Sequence, residues 1–272
     1  MRKINFDNVS IFTDIMSNKK LILREISDCS DGARKKVWVN CTNEIYLYKE
    51  DKKHVTGEST YESVAEYLAS KIARGLNIKN VDIVLGNHAI LSKKMWDVEL
   101  KSFLDYSDEL SHSFHLSNLT TYNASTLLSD DNIYRDEIIQ MLLFDALIGN
   151  SDRHPGNYLY ADTLGFYPLF DNGSSLCAYV EEAEIKEFLI DGLRFNALCE
   201  SKSKPVLRDG QKITHHKLAE ILKQEFPIQF SAFRETLENY DCVKDIESLP
   251  ITEQRKELLI KFLEHRRAWF YE

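Results

Sequence analysis

Residues 133–149, IYRDEIIQMLLFDALIG, constrain the fold more than any other segment of the chain. Ile138, Met141, Leu142 and Ile148 fall near one another at helical spacing, and apolar residues fill most positions between them. That density predicts a central helix buried on nearly all sides rather than a surface helix with one apolar stripe. Asp145 lies inside this segment, and a carboxylate in such a place must be paired or hydrogen-bonded. A structural contact to the polar stretch that follows is its expected role. At 272 residues the chain is long enough for a sizeable core, in one large domain or in two lobes sharing a cleft.

Charge narrows the partners. The chain has 43 acidic and 34 basic residues, a net of −9, and no strong basic run to attract a phosphate backbone, so no direct nucleic-acid partner is expected. The five cysteines, Cys29, Cys41, Cys177, Cys199 and Cys242, are widely spaced with no C-x-x-C pair, which reads as free thiols in a reducing compartment. The opening MRKINFDNVS is too polar for a signal peptide, and no apolar run reaches the roughly 18 residues of a membrane span. A cytoplasmic protein without membrane contact is the expectation.

The first part of the chain reads as β-rich. LILREIS (21–27), KVWVN (36–40) and EIYLYK (44–49) are short runs of β-branched and aromatic residues, with a polar turn around Gly32 between the first two. A charged loop (49–60) leads to YESVAEYLASKIARG, a helix with Ser59 or Thr60 as cap and Val64, Leu68 and Ile72 at four-residue steps. Two more strands are expected at 81–86 and 88–92. Residues 97–132 mix acidic, aromatic and turn residues and read as a linker, hinge and peripheral loop. Beyond the buried helix, two short strands (YLYA and FYPLF) precede a mainly helical remainder, whose last helix places Arg266 and Arg267 as dipole partners in its final turns. The plan is α+β, with a small β-rich lobe (1–96), a linker (97–132) and a larger, mainly helical lobe (133–272).

Chemistry concentrates in 150–173, NSDRHPGNYLYADTLGFYPLFDNG. Pro155 and Gly156 stop the helix from continuing, and a short hairpin should bring Asn157 and Asp171 together. A carboxylate that accepts a hydroxyl proton, with an amide oxygen and a second carboxylate to hold Mg²⁺, is the equipment of phosphoryl transfer. The five-residue step from Asp152 to Asn157 matches the base-to-metal-ligand spacing of a protein-kinase catalytic loop, and Asp171-Asn172-Gly173 takes the place of its Asp-Phe-Gly element. Neither HSFH (112–115) nor His215-His216 has the companions a zinc site needs.

LIGNSDRHPGNYLY followed by PLFDNGSSL resembles the catalytic segment of the HipA-like serine/threonine kinases, and the DRHxxN form also resembles the lipid-kinase version of the loop. SDGARKKVWV resembles their glycine-containing phosphate loop, EIYLYK the strand that carries their nucleotide-binding lysine, and YESVAEYLASKIA the helix that supplies its acidic partner. The resemblance covers about residues 20–175 in ordered pieces. It implies a two-lobed protein-kinase-like fold. It implies Asp152 as catalytic base, with Arg153 orienting substrate or phosphate, or forming a salt bridge behind the site. His154 would steady the loop or meet the γ-phosphate, Asn157 and Asp171 would be metal ligands, and Lys49 would bind phosphate. Glu62, preferred over Glu66, would pair with Lys49. The backbone around Asp31, Gly32 and Ala33 would cradle phosphate, and Ser30, with Ser27 behind it, is the nearest match to a serine whose phosphorylation controls nucleotide binding in some members.

The implied activity is ATP- and Mg²⁺-dependent transfer to a Ser/Thr hydroxyl of a protein substrate. A small-molecule or lipid-headgroup kinase is the alternative, and a nucleotide-binding pseudokinase in a regulatory complex the third reading. The chain reads as a minimal core without the extra N-terminal subdomain of many HipA-like toxins, so a small antitoxin or regulatory partner is possible from the resemblance alone. Asn172 stands where protein kinases have Phe, so regulation by Phe packing does not carry over.

Overall fold

A computed structural model describes residues 9–28, 36–102, 128–208 and 211–272. The β-branched runs near the start form β1 (Val9–Asp14), β2 (Lys19–Asp28), β3 (Lys36–Cys41), β4 (Glu44–Glu50), β5 (Ile83–Gly86) and β6 (Ala89–Lys93). They build one sheet in the order β1-β2-β3-β4-β6-β5 with every neighbour antiparallel. β1 was not anticipated from the sequence. Its continuation reaches the other edge, where the Ile15 amide donates to the Leu85 carbonyl at 2.9 Å. Phe12 then lies against Gly86, where a Cβ would meet its ring at 2.4 Å, so only glycine lets the two edges approach.

Register decides which side chains face the site. Lys49 is paired with Lys36 on one neighbour and Ile90 on the other, and cross-strand partners share a face. Ile90 belongs to the main core, so Lys49 points to that side. The alternate residues Val37, Val39 and Leu91 form a second apolar cluster on the opposite face, with Tyr46 and Tyr48 packed against it.

Helix α1 (Glu62–Gly75) closes the main-core face. Its Leu68 and Ile72 are 0% and 1% exposed, and burial of each contributes about 1.5–3 kcal/mol. The cap is not Ser59 or Thr60. Asp51, eleven residues before the first residue of the helix, accepts from the Ser63 amide at 2.6 Å and the Ser63 hydroxyl at 2.8 Å. The charged loop folds back and supplies the oxygen that a local residue supplies elsewhere.

The apolar run forms α2 (Arg135–Ile148), and every residue from Ile138 to Ile148 except Gln140 is buried, as its density requires. β7 (Lys101–Ser102), β8 (Leu159–Ala161) and β9 (Gly165–Phe166) form a small antiparallel sheet beside it. Thus Lys101 and Ser102, inside the stretch expected to be linker, pair with Tyr160 and Leu159 of the hairpin. Within the mainly helical remainder, EEAEIKEFLIDGLRF enters two helices, α3 (Glu182–Ile190) and α4 (Gly192–Cys199), because Asp191 leaves helical geometry and caps the second through the Leu193 and Arg194 amides. A hairpin follows that the sequence reading missed, β10 (Lys202–Arg208) and β11 (Gln211–Thr214); the Asp209-Gly210 pair between them is its sequence signal. Helices α5 (His215–Glu225), α6 (Pro227–Glu238), α7 (Cys242–Glu247) and α8 (Glu253–Ala268) complete the chain. Among the described residues no helix is long and apolar enough to cross a membrane.

Arg266 lies in the last turn of α8 as expected, and it is fully buried there, donating to the carbonyls of Ala146 and Cys199 and to the Ser201 hydroxyl. Burial pushes its pKa down to about 10, still charged near neutrality. Beside it, His215 is 0% exposed with Nδ1 2.9 Å from the Ser201 hydroxyl. Burial, helped by the Arg266 charge, holds the imidazole well below the ordinary histidine value. The unfolded chain takes up that proton below about pH 6.5 while the folded chain does not. Stability from this group is therefore complete above that pH and falls below it, by up to about 1.4 kcal/mol per pH unit. In His215→Gln this slope is expected to vanish, so urea midpoints of the two proteins should converge between about pH 7 and pH 5. A constant gap across that range would show that His215 is protonated in the folded state.

Candidate active site

α2 ends at Gly149, with φ 71°, in a place where a Cβ would lie 2.8 Å from the Phe262 ring. Only glycine reconciles that turn with that packing. The polar stretch beyond it then closes on itself. Asn150 is buried, and its Oδ1 accepts from the Asp152 amide at 3.1 Å. The Asn157 Nδ2 donates to the Asp152 carbonyl at 2.9 Å, across a 3₁₀ turn over Pro155–Asn157. His154 caps that turn, its Nδ1 accepting from the Gly156 amide at 3.1 Å.

Arg153 holds the loop to everything around it. The side chain is 0% exposed. Nε and Nη2 donate to the two carboxylate oxygens of Asp145 at 3.0 and 2.9 Å. Nη1 donates to the carbonyls of Asn157 at 3.0 Å and Phe170 at 2.7 Å, and Nη2 also donates to the Asn172 amide oxygen. Burial weakens its charge, but Asp145, with smaller help from Glu66 and Asp171, outweighs this and raises its pKa above the usual value. Asp145 feels burial most, which pushes its carboxyl up against the opposing pull of the guanidinium. The expected contact between Asp145 and the polar loop is therefore this ion pair. Arg153 itself cannot touch a substrate, and of its two expected roles the salt bridge behind the site is the one present.

The same guanidinium joins the two ends of the hairpin, since one nitrogen binds the carbonyls of both Asn157 and Phe170. Asp171 follows with φ 54°, a left-handed conformation uncommon outside glycine. Asn172 anchors it from the next position, with Nδ2 donating to the Asn80 side-chain oxygen at 3.0 Å and its carbonyl accepting from Ser175 at 2.6 Å. Gly173 lies against α1, where a Cβ would be 3.3 Å from the Glu62 Cβ and 3.5 Å from a Glu66 carboxylate oxygen.

From the sheet, Lys49 meets this segment. Its ammonium is 2.6 Å from Asp171 Oδ1, with side-chain exposures of 6% and 21%. The lysine placed against Glu62 is Lys52, at 3.3 Å, and Glu62 also accepts from the Lys52 amide, the Thr60 hydroxyl and the Tyr179 hydroxyl. Glu66 is buried and lines a small recess with Lys49, Glu62 and Gly173. Both glutamates thus border the lysine, while Asp171 holds its ammonium. Ser30, Asp31, Gly32 and Ala33 lie outside the described residues.

The Asp152 carboxylate is 39% exposed and forms an ion pair with Lys204 of β10. Sequence reading did not anticipate Lys204, Asn80, Tyr179 or the anchoring role of Asn172, none of which has a local spacing signal. Chemically the arrangement offers one accessible carboxylate, a carboxamide and a second carboxylate on two segments that Arg153 joins, and a lysine from the sheet. Asn157 has its nitrogen engaged with a backbone carbonyl, leaving Oδ1 as its remaining polar atom; with Asp171 this makes an all-oxygen pair suited to a hard cation. Among the described residues no group of three or more His, Cys, Asp or Glu is placed to hold a metal ion.

No family model matches the chain. Over 200 residues it is 28% identical to the serine/threonine-protein kinase CtkA of Helicobacter pylori, an alignment covering 64% of this chain and 60% of that protein. The solved structure of the H. pylori proinflammatory kinase CtkA superposes with a TM-score of 0.76 at 21% identity, covering 90% of this chain and 91% of that one. A HipA chain from a Shewanella oneidensis toxin–antitoxin complex with HipB and operator DNA gives a TM-score of 0.43 at 14% identity, too slight a likeness to argue from. The chain is thus similar in sequence to the serine/threonine kinase CtkA over about 60% of that protein's length, and it shares the fold of the solved CtkA structure.

Proposed function

We propose that the chain transfers the terminal phosphoryl group of ATP, with Mg²⁺, to a serine or threonine hydroxyl of a protein. The observation that carries this reading is the Arg153 clamp. One buried guanidinium joins the Asp152 loop, Asn157 and the segment leading to Asp171, and Lys49 reaches Asp171 from the sheet. The sheet with α1 acts as the small lobe, the helices around α2 as the large lobe, and the cleft between them as the nucleotide site.

Each residue then has a task. Asp152, exposed enough to meet an acceptor, takes the proton of the attacking hydroxyl. Asn157 and Asp171 supply the oxygens for the metal, which when bound offsets the charge of the β- and γ-phosphates. Lys49 turns from Asp171 to the α- and β-phosphates. Glu62 and Glu66 keep its surroundings negative from α1, and Asp31, Gly32 and Ala33 are the residues whose backbone amides the resemblance assigns to the phosphates. His154 holds the loop by its cap, and Ser30 is the candidate site for control by phosphorylation. Cys41, Cys177, Cys199 and Cys242 are free thiols, which supports work in a reducing compartment such as the cytoplasm.

The test is incubation of the purified protein with γ-labelled ATP, Mg²⁺ and a mixed protein lysate. Acid-stable label on protein is expected, abolished by chelation and lowered about a hundredfold by Lys49→Met. Label confined to a small metabolite would move the acceptor to the small-molecule class. Tight nucleotide binding with no transfer would leave a pseudokinase.

A further inference from the structure

On the loop that carries Asp152, neither the Arg153 guanidinium nor the His154 Nδ1 is available to a transferred phosphoryl group. Arg153 is wholly buried, with its donors on Asp145, Asn172 and two carbonyls, and the His154 Nδ1 is taken by the Gly156 amide. The cation beside the proposed base comes from far along the chain. Lys204, on β10, forms an ion pair with the Asp152 carboxylate.

Its placement is built from below. Ser203 is 1% exposed, and side chains alternate along a strand, so Lys204 projects outward from a buried neighbour. The strand is pinned at its root. The Ser201 carbonyl accepts from the His215 amide at 3.0 Å, the Ser201 hydroxyl from Arg266 at 2.6 Å, and Lys202 pairs with Thr214. Only the tip of Lys204 is free to choose a partner. Both members of the pair face solvent, at 44% and 39% exposure, so the contact is weak and can be exchanged for a better one.

We propose that Lys204 is a catalytic residue of the reaction proposed above, leaving Asp152 for the transferred phosphoryl group and neutralising the charge that develops on it. The inference rests on that reading. In the step, the acceptor oxygen forms a bond to the γ-phosphorus as the bond to the bridging oxygen breaks. The electron pair leaves with ADP, and the hydroxyl proton goes to Asp152. Lys204 is the donor that reaches the γ-oxygens from the acceptor side, opposite Lys49. Releasing Asp152 at that moment frees the carboxylate for the proton, so one motion of the lysine serves both groups.

The test compares wild type, Lys204→Met and Lys204→Arg. In Lys204→Met, kcat is expected to fall about a hundredfold with KM for ATP within about threefold, and Lys204→Arg to recover at least about a tenth of the activity. Mg·ADP alone should bind wild type and Lys204→Met equally, which also shows that the variant is folded. Mg·ADP with aluminium fluoride, a mimic of the group in flight, should bind wild type at least about tenfold more tightly. An unchanged or raised kcat in Lys204→Met, as for a lysine that merely blocks Asp152, overturns the proposal while leaving the kinase reading intact. Wild type that neither binds Mg·ADP nor transfers phosphate overturns the kinase reading, and this proposal with it.

Discussion

Asp152→Asn is expected to lower kcat by about 10²–10⁴ while leaving the affinity for Mg·ATP within about twofold, whereas Asp171→Asn is expected to weaken Mg·nucleotide binding itself. The difference follows from where the two carboxylates sit. The Asp152 side chain is 39% exposed, with a surface lysine as its partner, and its backbone rather than its carboxylate holds the loop. An amide there keeps the size and the loop but cannot accept the hydroxyl proton. Asp171 is about four-fifths buried and binds Lys49, so its charge lies beside the lysine proposed to bind phosphate. Titration with a fluorescent ATP analogue, with and without Mg²⁺, separates the two variants. Equal losses of binding in both, or an Asp152→Asn enzyme with full turnover, would remove Asp152 as the base.

Arg153→Met is expected to destabilise the fold by about 3–5 kcal/mol, a large part of the roughly 5–15 kcal/mol available to a protein of this kind. The substitution leaves the Asp145 carboxylate wholly buried without its counter-charge and abandons two buried carbonyls and the Asn172 amide oxygen. Removing both charges should hurt less than removing one. The double variant Asp145→Leu/Arg153→Met is expected to regain at least about 1 kcal/mol over Arg153→Met in urea unfolding, since it no longer buries a lone carboxylate. Activity should stay low in that double variant, because the loop and the Asp171 segment have lost their common anchor. A double variant less stable than Arg153→Met, or as active as wild type, would show that the pair does not carry out the clamping described here.

Much of this was legible beforehand for a local reason. Lys49 was singled out by the resemblance of EIYLYK to the lysine-bearing strand of the HipA-like kinases, and only the sheet register gives the face on which it lies. Asp152 and Asn157 were found from spacing, since a loop interrupted by Pro155 and Gly156 has few ways to run. The partner of Asp145 was half legible: a carboxylate in an apolar helix demands one, but nothing local says that it is Arg153. Where reading failed, the cause was a competing tertiary contact. Ser59 and Thr60 are good caps by composition, and Asp51 displaced them because the charged loop folds over the helix end. Arg266 does sit in the last helical turn, but nothing local signals its burial against the carbonyls of Ala146 and Cys199.

The chain alone determined the inventory and its order: a buried helix, then a polar loop with an acid and an amide five residues apart, then a hairpin and a second acid. These follow from periodicity and turn chemistry, which act over a few residues. Tertiary structure decided the partners, namely that Lys49 meets Asp171 across 122 residues, that Arg153 faces inward, and that Lys204 reaches Asp152 across 52. Such choices depend on which buried charges and carbonyls packing leaves to be satisfied, and that is settled only when the whole core has closed.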